Sequence, residues 1–187
     1  MRSDTQPSSS SRKKTPLKIW VLLSLIGALM FVGKWILSPL ANVEPVSMLI
    51  TVLAVVFGWR ALASVYIYVF LEIAFFGLGV WNVMYLYVWA IFAAAVILLR
   101  RVASPTLYAV LAAFFGLFVG TLCSPVYFIT TGFAGGVAWI ISGIPYDIIH
   151  CVANFIFVFL AWKPLVKVLN KALKKAADIS FNMIVVD

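Results

Sequence analysis

The chain has 187 residues, of which 65% are hydrophobic and only 11% are charged, and its formal net charge is +8. So few charged side chains cannot cover a water-facing surface, which excludes an ordinary soluble domain and indicates a protein embedded in lipid. The cations are spread along the chain near the ends of apolar runs. This distribution argues against nucleic-acid binding, which requires cations clustered on one folded face.

Six apolar runs follow a polar, serine-rich segment, residues 1–18, which we expect to be a disordered cytoplasmic tail. A membrane-spanning helix requires about 20 predominantly apolar residues. The first run is long enough to remain as a span and no small-residue cleavage site follows it, so we do not expect a secretory signal. The predicted spans, which form a membrane domain over residues 19–164, are Ile19–Leu37, Val46–Phe57, Ala61–Leu78, Val83–Leu99, Leu107–Leu122 and Ile144–Trp162.

The positions of Lys and Arg predict the orientation, because cationic residues near span ends are retained on the cytoplasmic side. Five precede the first span, Arg60 follows the second, Arg100 and Arg101 follow the fourth, and five occur from Lys163 to Lys175. Lys34 alone departs from this pattern. We therefore predict an all-α, six-span protein of the cell membrane with both termini in the cytoplasm.

The stretch Val126–Ser142 is also apolar and resembles a seventh span. Seven spans would put the C-terminal lysines outside, and using this stretch instead of the twelve-residue second run would put Arg100 and Arg101 outside. Both assignments break the charge rule, so we interpret the stretch as a re-entrant outer loop. The residues that favour irregular backbone there, shielded from lipid by protein, are Thr130, Thr131, Gly132, Gly135 and Gly136.

Residues 165–187 are expected to form a cytoplasmic amphipathic tail. Apolar residues recur there at helical spacing, from Leu165 to Leu173, opposite a row of lysines. This pattern is typical of a helix that lies on the inner membrane surface. A solvated extension of the last span is an equally good interpretation.

Polar side chains within the membrane region are the best candidates for function, because ionisable groups are costly at that depth. Asp147, His150 and Asn154 follow i, i+3, i+7 spacing, so they share one face of the last predicted helix. Aromatic residues are frequent in the outer half, where they form either a belt against lipid headgroups or the wall of a pocket for a bulky, partly apolar ligand. The predicted ligand site consists of Lys34, Asn42, Glu44, Trp81, Asn82, Tyr85, Trp139, Tyr146, Asp147, His150 and Asn154.

Catalysis is not expected, because the chain has one His, no second carboxylate close to Asp147 in sequence, and no Ser or Cys placed for activation. The same scarcity of ligands argues against a metal site, and no catalytic cofactor is predicted. Cys123 and Cys151 have no CxxC-type spacing and are expected to be buried apolar residues, although a disulfide between them is left open.

Two motifs carry a resemblance to a known family: Asn42-Val43-Glu44-Pro45-Val46 after the first span, and Gly143 to His150 continuing through Asn154 to Lys163-Pro164-Leu165. With this hydropathy the chain resembles the S-components of energy-coupling factor (ECF) transporters, small membrane subunits that capture vitamins for import. The resemblance implies six helices and an outer ligand cavity closed by loops, here Leu37–Val46, Phe76–Asn82 and Cys123–Pro145.

The resemblance also implies partners. S-components have no ATPase, and this chain has no phosphate-binding loop of the GxxxxGK[ST] type. In the family, a transmembrane coupling subunit and two ATPase subunits use ATP to topple the S-component and release the vitamin inside. Family members dock through small residues spaced AxxxA on the first helix. The nearest match here is Ser24 and Ala28, which the resemblance assigns to the partner interface.

Among vitamins, cobalamin is the first expectation, because the subgroup resembled includes members linked to cobalamin and the outer half offers amides and aromatic rings. Carboxylate-bearing vitamins would be expected to meet Arg or Lys, and Lys34 is the single cation there. Pantothenate or another small vitamin is the alternative that Lys34 supports. The competing class is a solitary carrier or a lipid-active enzyme. Two features argue against it: the sequence shows no internal repeat, which many carriers have, and few acid or base residues, which an enzyme would need.

Overall fold

The computed structural model describes residues 17–102 and 104–177, and these are almost entirely helical, with no β-strand. Most of the predicted N-terminal tail and the last ten residues lie outside the described residues, whereas Leu17 and Lys18 already belong to the first helix. The helices are α1 (Leu17–Leu37), α2 (Val46–Phe57), α3 (Ala61–Phe76), α4 (Val80–Leu99) and α5 (Pro105–Ala177), with a 3₁₀ turn at Gly58–Arg60.

Four helical stretches in the described residues are long and apolar enough to cross a membrane. A chain with several such helices is compatible with membrane embedding, as the composition predicted. The stretches are Leu17–Leu37, Val46–Phe76, Val80–Leu99 and Pro105–Lys174.

The stretch Val46–Phe76 reverses direction at the 3₁₀ turn that separates α2 from α3. Gly58 has φ 59° there, a left-handed conformation that glycine adopts without a steric penalty. Lys34 shares a cavity with Glu44, just before α2, and forms an ion pair with Glu72, near the end of α3. The start of α2 and the end of α3 therefore lie at the same end of the bundle.

Helix α5 is also two helical segments, because Gly132 has φ 75° and ψ −176° and interrupts the helical backbone. We call residues 105–131 the first arm and residues 133–177 the second arm. Asn154 bonds the carbonyl of Ala112, and the Asp147 carboxylate accepts the N–H of Gly120. The later residue of the first arm, Gly120, thus contacts the earlier residue of the second arm, Asp147. The two arms are therefore antiparallel.

The prediction of a re-entrant loop with irregular backbone over Val126–Ser142 is wrong, because this stretch is helical on both sides of Gly132. Thr130 and Thr131 do not disrupt the helix: their hydroxyls donate to the carbonyls four residues earlier, at 2.9 and 2.7 Å. Only Gly132 has non-helical backbone. The predicted closing loop Cys123–Pro145 is accordingly the helical tip of a hairpin.

The segment beyond residue 164 continues the second arm to Ala177 with no non-helical residue between them. Its lysines Lys163, Lys167 and Lys174 are exposed, whereas Val166 and Leu173 are buried. The helix that contains the last predicted span therefore continues into this segment without a break.

Helix α2 forms the centre of the bundle. Nine of its twelve residues are buried, and it contacts α1, α3, α4 and α5. Its polar members Ser47 and Thr51 are fully buried, and the Thr51 hydroxyl donates to the Ser47 carbonyl at 2.8 Å. The other helices therefore enclose α2.

Two glycines let the arms of α5 approach closely. A Cβ added at Gly116 would lie 2.8 Å from the backbone carbon of His150, and one added at Gly120 would lie 2.6 Å from the Asp147 carboxylate. Glycines four residues apart form one helix face without side chains, which permits close helix packing in membranes. The two arms therefore meet backbone to backbone at Gly116, and at Gly120 the Asp147 side chain packs against the backbone of the first arm.

We expect Gly116→Ala to reduce the free energy of unfolding by about 1–3 kcal/mol, because the added methyl group meets rigid backbone. Thermal unfolding of the detergent-solubilised protein measures the effect. Gly143→Ala is the matched control, since nothing lies within 4 Å of a Cβ built there and the helix gains propensity. Equal stability of both variants would contradict the close approach of the arms.

Candidate functional site

A cavity of about 560 Å³ opens at the end of the bundle where α1 ends and α4 begins. Its volume is in the range that drug-sized ligands occupy. The wall combines the end of α1, the loop before α2, the first turns of α4 and both arms of α5. The lining residues are Lys34, Leu37, Ser38, Leu40, Ala41, Asn42, Val43, Glu44, Trp81, Met84, Tyr85, Trp89, Val119, Gly120, Cys123, Trp139, Ser142, Gly143, Tyr146, Asp147 and His150.

The loop between α1 and α2 is held against the second arm of α5 by Asn42. Its backbone has φ 54°, a left-handed conformation that Asn tolerates better than most residues. The side-chain amide donates to the Tyr146 carbonyl at 3.1 Å. This bond fixes one edge of the cavity and gives Asn42 a structural role in addition to its place in the wall.

The positive charge of Lys34 is paired within the protein. Its Nζ lies 3.2 Å from Glu72 Oε2 and 2.8 Å from the Tyr85 hydroxyl, and 4.5 Å from the centre of the Tyr85 ring. The Glu72 side chain is only 4% exposed, so this is a largely desolvated ion pair. The cation that supported an anionic vitamin is therefore already occupied by Glu72.

Asp147 has little hydrogen bonding for a buried carboxylate. Both of its oxygens are 3.2 Å from the same donor, the backbone N–H of Gly120. That N–H lies one helical turn nearer the cavity than Gly116, where the second arm approaches most closely, so the bond depends on the close packing of the hairpin. The remaining acceptor capacity of Asp147 is directed at the cavity that it lines.

Glu44 and His150 form a loose pair across the cavity. His150 Nε2 is 3.7 Å from Glu44 Oε1 and 3.5 Å from the Ser47 hydroxyl, and its Nδ1 has no partner in the described part of the chain. Burial of the Glu44 carboxyl, in the loop outside the helices, raises its pKa to about 7. Lys34 opposes that rise in pKa and Glu72 reinforces it.

Aromatic side chains form much of the wall. Trp139 stacks on Tyr127 with ring centres 3.9 Å apart, and its indole N–H donates to the Gly120 carbonyl at 3.0 Å. Trp81 and Tyr146 are about half exposed at the cavity. Tyr85 and Trp89 lie deeper, packed edge to face with ring centres 5.6 Å apart. These rings give the cavity the apolar surface that the sequence predicted.

Nine of the eleven predicted site residues line this cavity, and Asn82 and Asn154 do not. Asn82 is buried at the start of α4, where its Oδ1 accepts the N–H of Gly79 at 2.6 Å and caps the helix. Asn154 lies one turn below His150 and donates to Ala112 in the first arm. Both side chains support the cavity from outside its wall.

Sequence reasoning missed the contribution of the first arm. Val119, Gly120 and Cys123 line the cavity, and Gly120 positions Asp147. The pattern Gly116-Leu117-Phe118-Val119-Gly120 is a GxxxG motif, and reading it as a packing face would have identified this arm. Cys123 and Cys151 are free, so the disulfide left open by the sequence is not formed.

Ser24 and Ala28 lie on α1, away from the cavity. Ser24 is exposed and its hydroxyl donates to the Trp20 carbonyl at 2.9 Å, while Ala28 is partly exposed. Apolar neighbours on the same helix, including Val21 and Leu25, are also exposed. This surface of α1 is therefore accessible to lipid or to another protein.

Comparison of the chain with protein-family models, with curated proteins and with solved structures finds no match in any of the three.

Proposed function

We propose that this protein is the substrate-capture subunit of an importer of the ECF type. The observation that carries the proposal is the cavity of about 560 Å³, in which aromatic rings surround a few buried polar groups at one end of a helical bundle. Cavities of this composition bind small organic ligands. The two motifs that carry the family resemblance contribute Asn42 and Glu44 from the first, and Tyr146, Asp147 and His150 from the second.

The proposal includes six crossings with both termini in the cytoplasm. The reversals at Gly58 and Gly132 divide two of the four long stretches, so that six helical segments alternate in direction. The described cations other than Lys34 all belong to the segments at the end opposite the cavity, or to the continuation of the last helix. Retention of cations inside would then leave the cavity open to the outside.

Single-cysteine labelling tests this topology in a background with Cys123→Ala and Cys151→Ala. We expect a membrane-impermeant maleimide to label Leu78→Cys and Thr131→Cys in intact cells. Trp59→Cys and Val102→Cys should react only after the membrane is permeabilised. All four native residues are exposed in the structure, so accessibility within the fold does not limit the reaction. Labelling of Val102→Cys in intact cells would exclude six crossings in this orientation.

The ligand is proposed to be a vitamin, with cobalamin as the first candidate. The amide N–H groups of cobalamin would donate hydrogen bonds to the carboxylate oxygens of Glu44 and Asp147, which have few donors within the protein. A corrinoid is larger than the cavity, so it would extend past the half-exposed Trp81 and Tyr146 at its edge. Pantothenate is a weaker candidate than the sequence suggested, because Lys34 is paired with Glu72.

Calorimetric titration of the purified protein with cobalamin, pantothenate, folate and riboflavin tests capture. We expect one vitamin to bind, and Tyr146→Ala to weaken its binding by about tenfold, because a half-exposed ring in the wall is lost. Tyr66→Ala is the matched control, since Tyr66 is also half exposed but lies on α3 outside the cavity. Equal loss in both variants would remove the cavity from the binding site.

Energy coupling is proposed to come from a transmembrane coupling subunit and two ATPase subunits that dock on α1 at Ser24 and Ala28. Small residues at these positions leave room for close backbone approach by another helix. Their location away from the cavity is consistent with docking that does not obstruct ligand entry. A solitary carrier would not require such a surface.

The tagged protein is expected to copurify from native membranes with the coupling and ATPase subunits. Ala28→Leu should abolish copurification and leave vitamin affinity unchanged, because the added bulk separates the helices. Ala74→Leu is the control, since Ala74 is exposed on α3. Transport by the protein alone in vesicles, without ATP, would instead support a solitary carrier.

A further inference from the structure

The cavity has more acidic than basic groups. Glu44 and Asp147 both line it, whereas its one Lys or Arg residue, Lys34, is held by Glu72 at 3.2 Å. The Glu44 side chain is 12% exposed, and Asp147 is 7% exposed. In the described residues neither carboxylate has an Arg or Lys partner within ion-pair distance: Lys34 is paired with Glu72, and Glu44 has only the His150 contact.

The two carboxylates are also short of donors. Asp147 receives one backbone N–H, shared between its oxygens, and Glu44 has His150 at 3.7 Å, beyond hydrogen-bond distance. A buried carboxylate ordinarily accepts several hydrogen bonds or faces a cation. A cation entering the cavity would meet carboxylates that lack a cationic partner, whereas a carboxylate ligand would meet like charge.

The aromatic wall favours the same class of ligand. Trp81, Trp89 and Trp139 together with Tyr85 and Tyr146 line the cavity. The faces of Trp and Tyr rings attract cations, most strongly where water is excluded, and such rings form the binding sites of quaternary ammonium groups. Lys34 demonstrates the interaction inside the protein, because its Nζ lies 4.5 Å from the centre of the Tyr85 ring.

We infer that the cavity selects an organic cation with an aromatic or alkyl body, whose charge lies between the Glu44 and Asp147 carboxylates and the surrounding Trp and Tyr rings. This inference rests on the proposed capture function and names the charge class of the ligand; within that function it favours a cationic vitamin over cobalamin, whose amide groups are neutral.

The ionisation of Glu44 gives the selection a pH dependence. Its pKa of about 7 means that the carboxyl gains its charge as the pH rises through neutrality. The affinity of a permanently charged cation should therefore rise over the same range, and the affinity of a neutral ligand should not. The titratable groups that face or adjoin Glu44 are Lys34 on α1, Glu72 on α3, Tyr85 on α4, and Asp147 and His150 on α5.

Three water-soluble pyridines of similar size test the charge class: 1-methylnicotinamide, a permanent cation, nicotinamide, which is neutral, and nicotinate, an anion. Ligand-observed NMR titrations with the full-length protein in detergent give the dissociation constants. We expect the cation to bind about tenfold more tightly than nicotinamide, the difference that one charge-assisted contact provides, and nicotinate to bind most weakly.

Variants assign the preference to the two carboxylates. Asp147→Asn keeps an oxygen for the Gly120 N–H and should remove most of the preference for the cation over nicotinamide. Glu44→Gln should remove the rise in cation affinity between about pH 5.5 and about pH 8.5. Glu72→Gln is the control, because Glu72 does not line the cavity and its loss frees Lys34. This variant should improve nicotinate binding.

Binding of nicotinamide or nicotinate as tightly as the cation would overturn the inference, as would a cation affinity that falls with rising pH. If a vitamin binds in the cavity while the cation does not, capture stands and the charge class is wrong. If neither the vitamins nor the pyridines bind, the capture function fails and the inference fails with it.

Discussion

The close approach of the two arms of α5 at Gly116 and Gly120 is the contact on which the cavity depends. Without side chains on this face of the first arm, the second arm packs directly against it. That packing brings Asp147 to the N–H of Gly120 and places His150 opposite Glu44. Two glycines thus determine where the polar groups of the second arm are presented, although neither glycine carries a functional group.

Several buried polar side chains of this protein bond to a neighbouring helix, although others, such as the Tyr68 hydroxyl and the Trp162 indole N–H, have no partner among the described residues. In lipid, a polar atom without a partner is costly, and helices satisfy their backbone internally. The Ser64 hydroxyl donates to the Leu23 carbonyl at 2.7 Å and Tyr87 donates to Leu122 at 2.9 Å, so side chains bridge neighbouring helices. At the cavity, the Glu44 and Asp147 carboxylates have few donors and His150 Nδ1 has no partner among the described residues, so incompletely bonded polar groups are gathered at one place.

The helices and most of the cavity wall were predictable from the sequence, because apolar runs and loop motifs are local signals. The stretch Val126–Ser142 was not predicted correctly. Its Thr and Gly residues suggested irregular backbone, yet Thr hydroxyls bond to carbonyls within their own helix, and one glycine in the left-handed region suffices to turn the chain. Gly132 turns the chain whereas Gly135 and Gly136 stay helical, and the sequence does not distinguish these three glycines.

The partners of individual polar residues were likewise beyond the sequence. Asn82 and Asn154 have the same chemistry as Asn42, but one caps a helix, one joins the two arms and only Asn42 reaches the cavity. The sequence suggested that Lys34 is available for an anionic ligand. In the structure it forms an ion pair with Glu72, which lies 38 positions away along the chain. Such pairings follow from tertiary packing, which no spacing rule in a single sequence encodes.

The shortness of α2 has an electrical consequence. Twelve residues rise about 18 Å, whereas the hydrocarbon layer of a bilayer is about 30 Å thick. Because α2 is enclosed by the other helices, the space above its first residue is bounded by protein and not by lipid. If water fills that space, the insulating layer is thinner there than in the surrounding bilayer. A voltage across such a bilayer would then fall over a shorter distance, and the cavity floor would lie at one edge of the strengthened field.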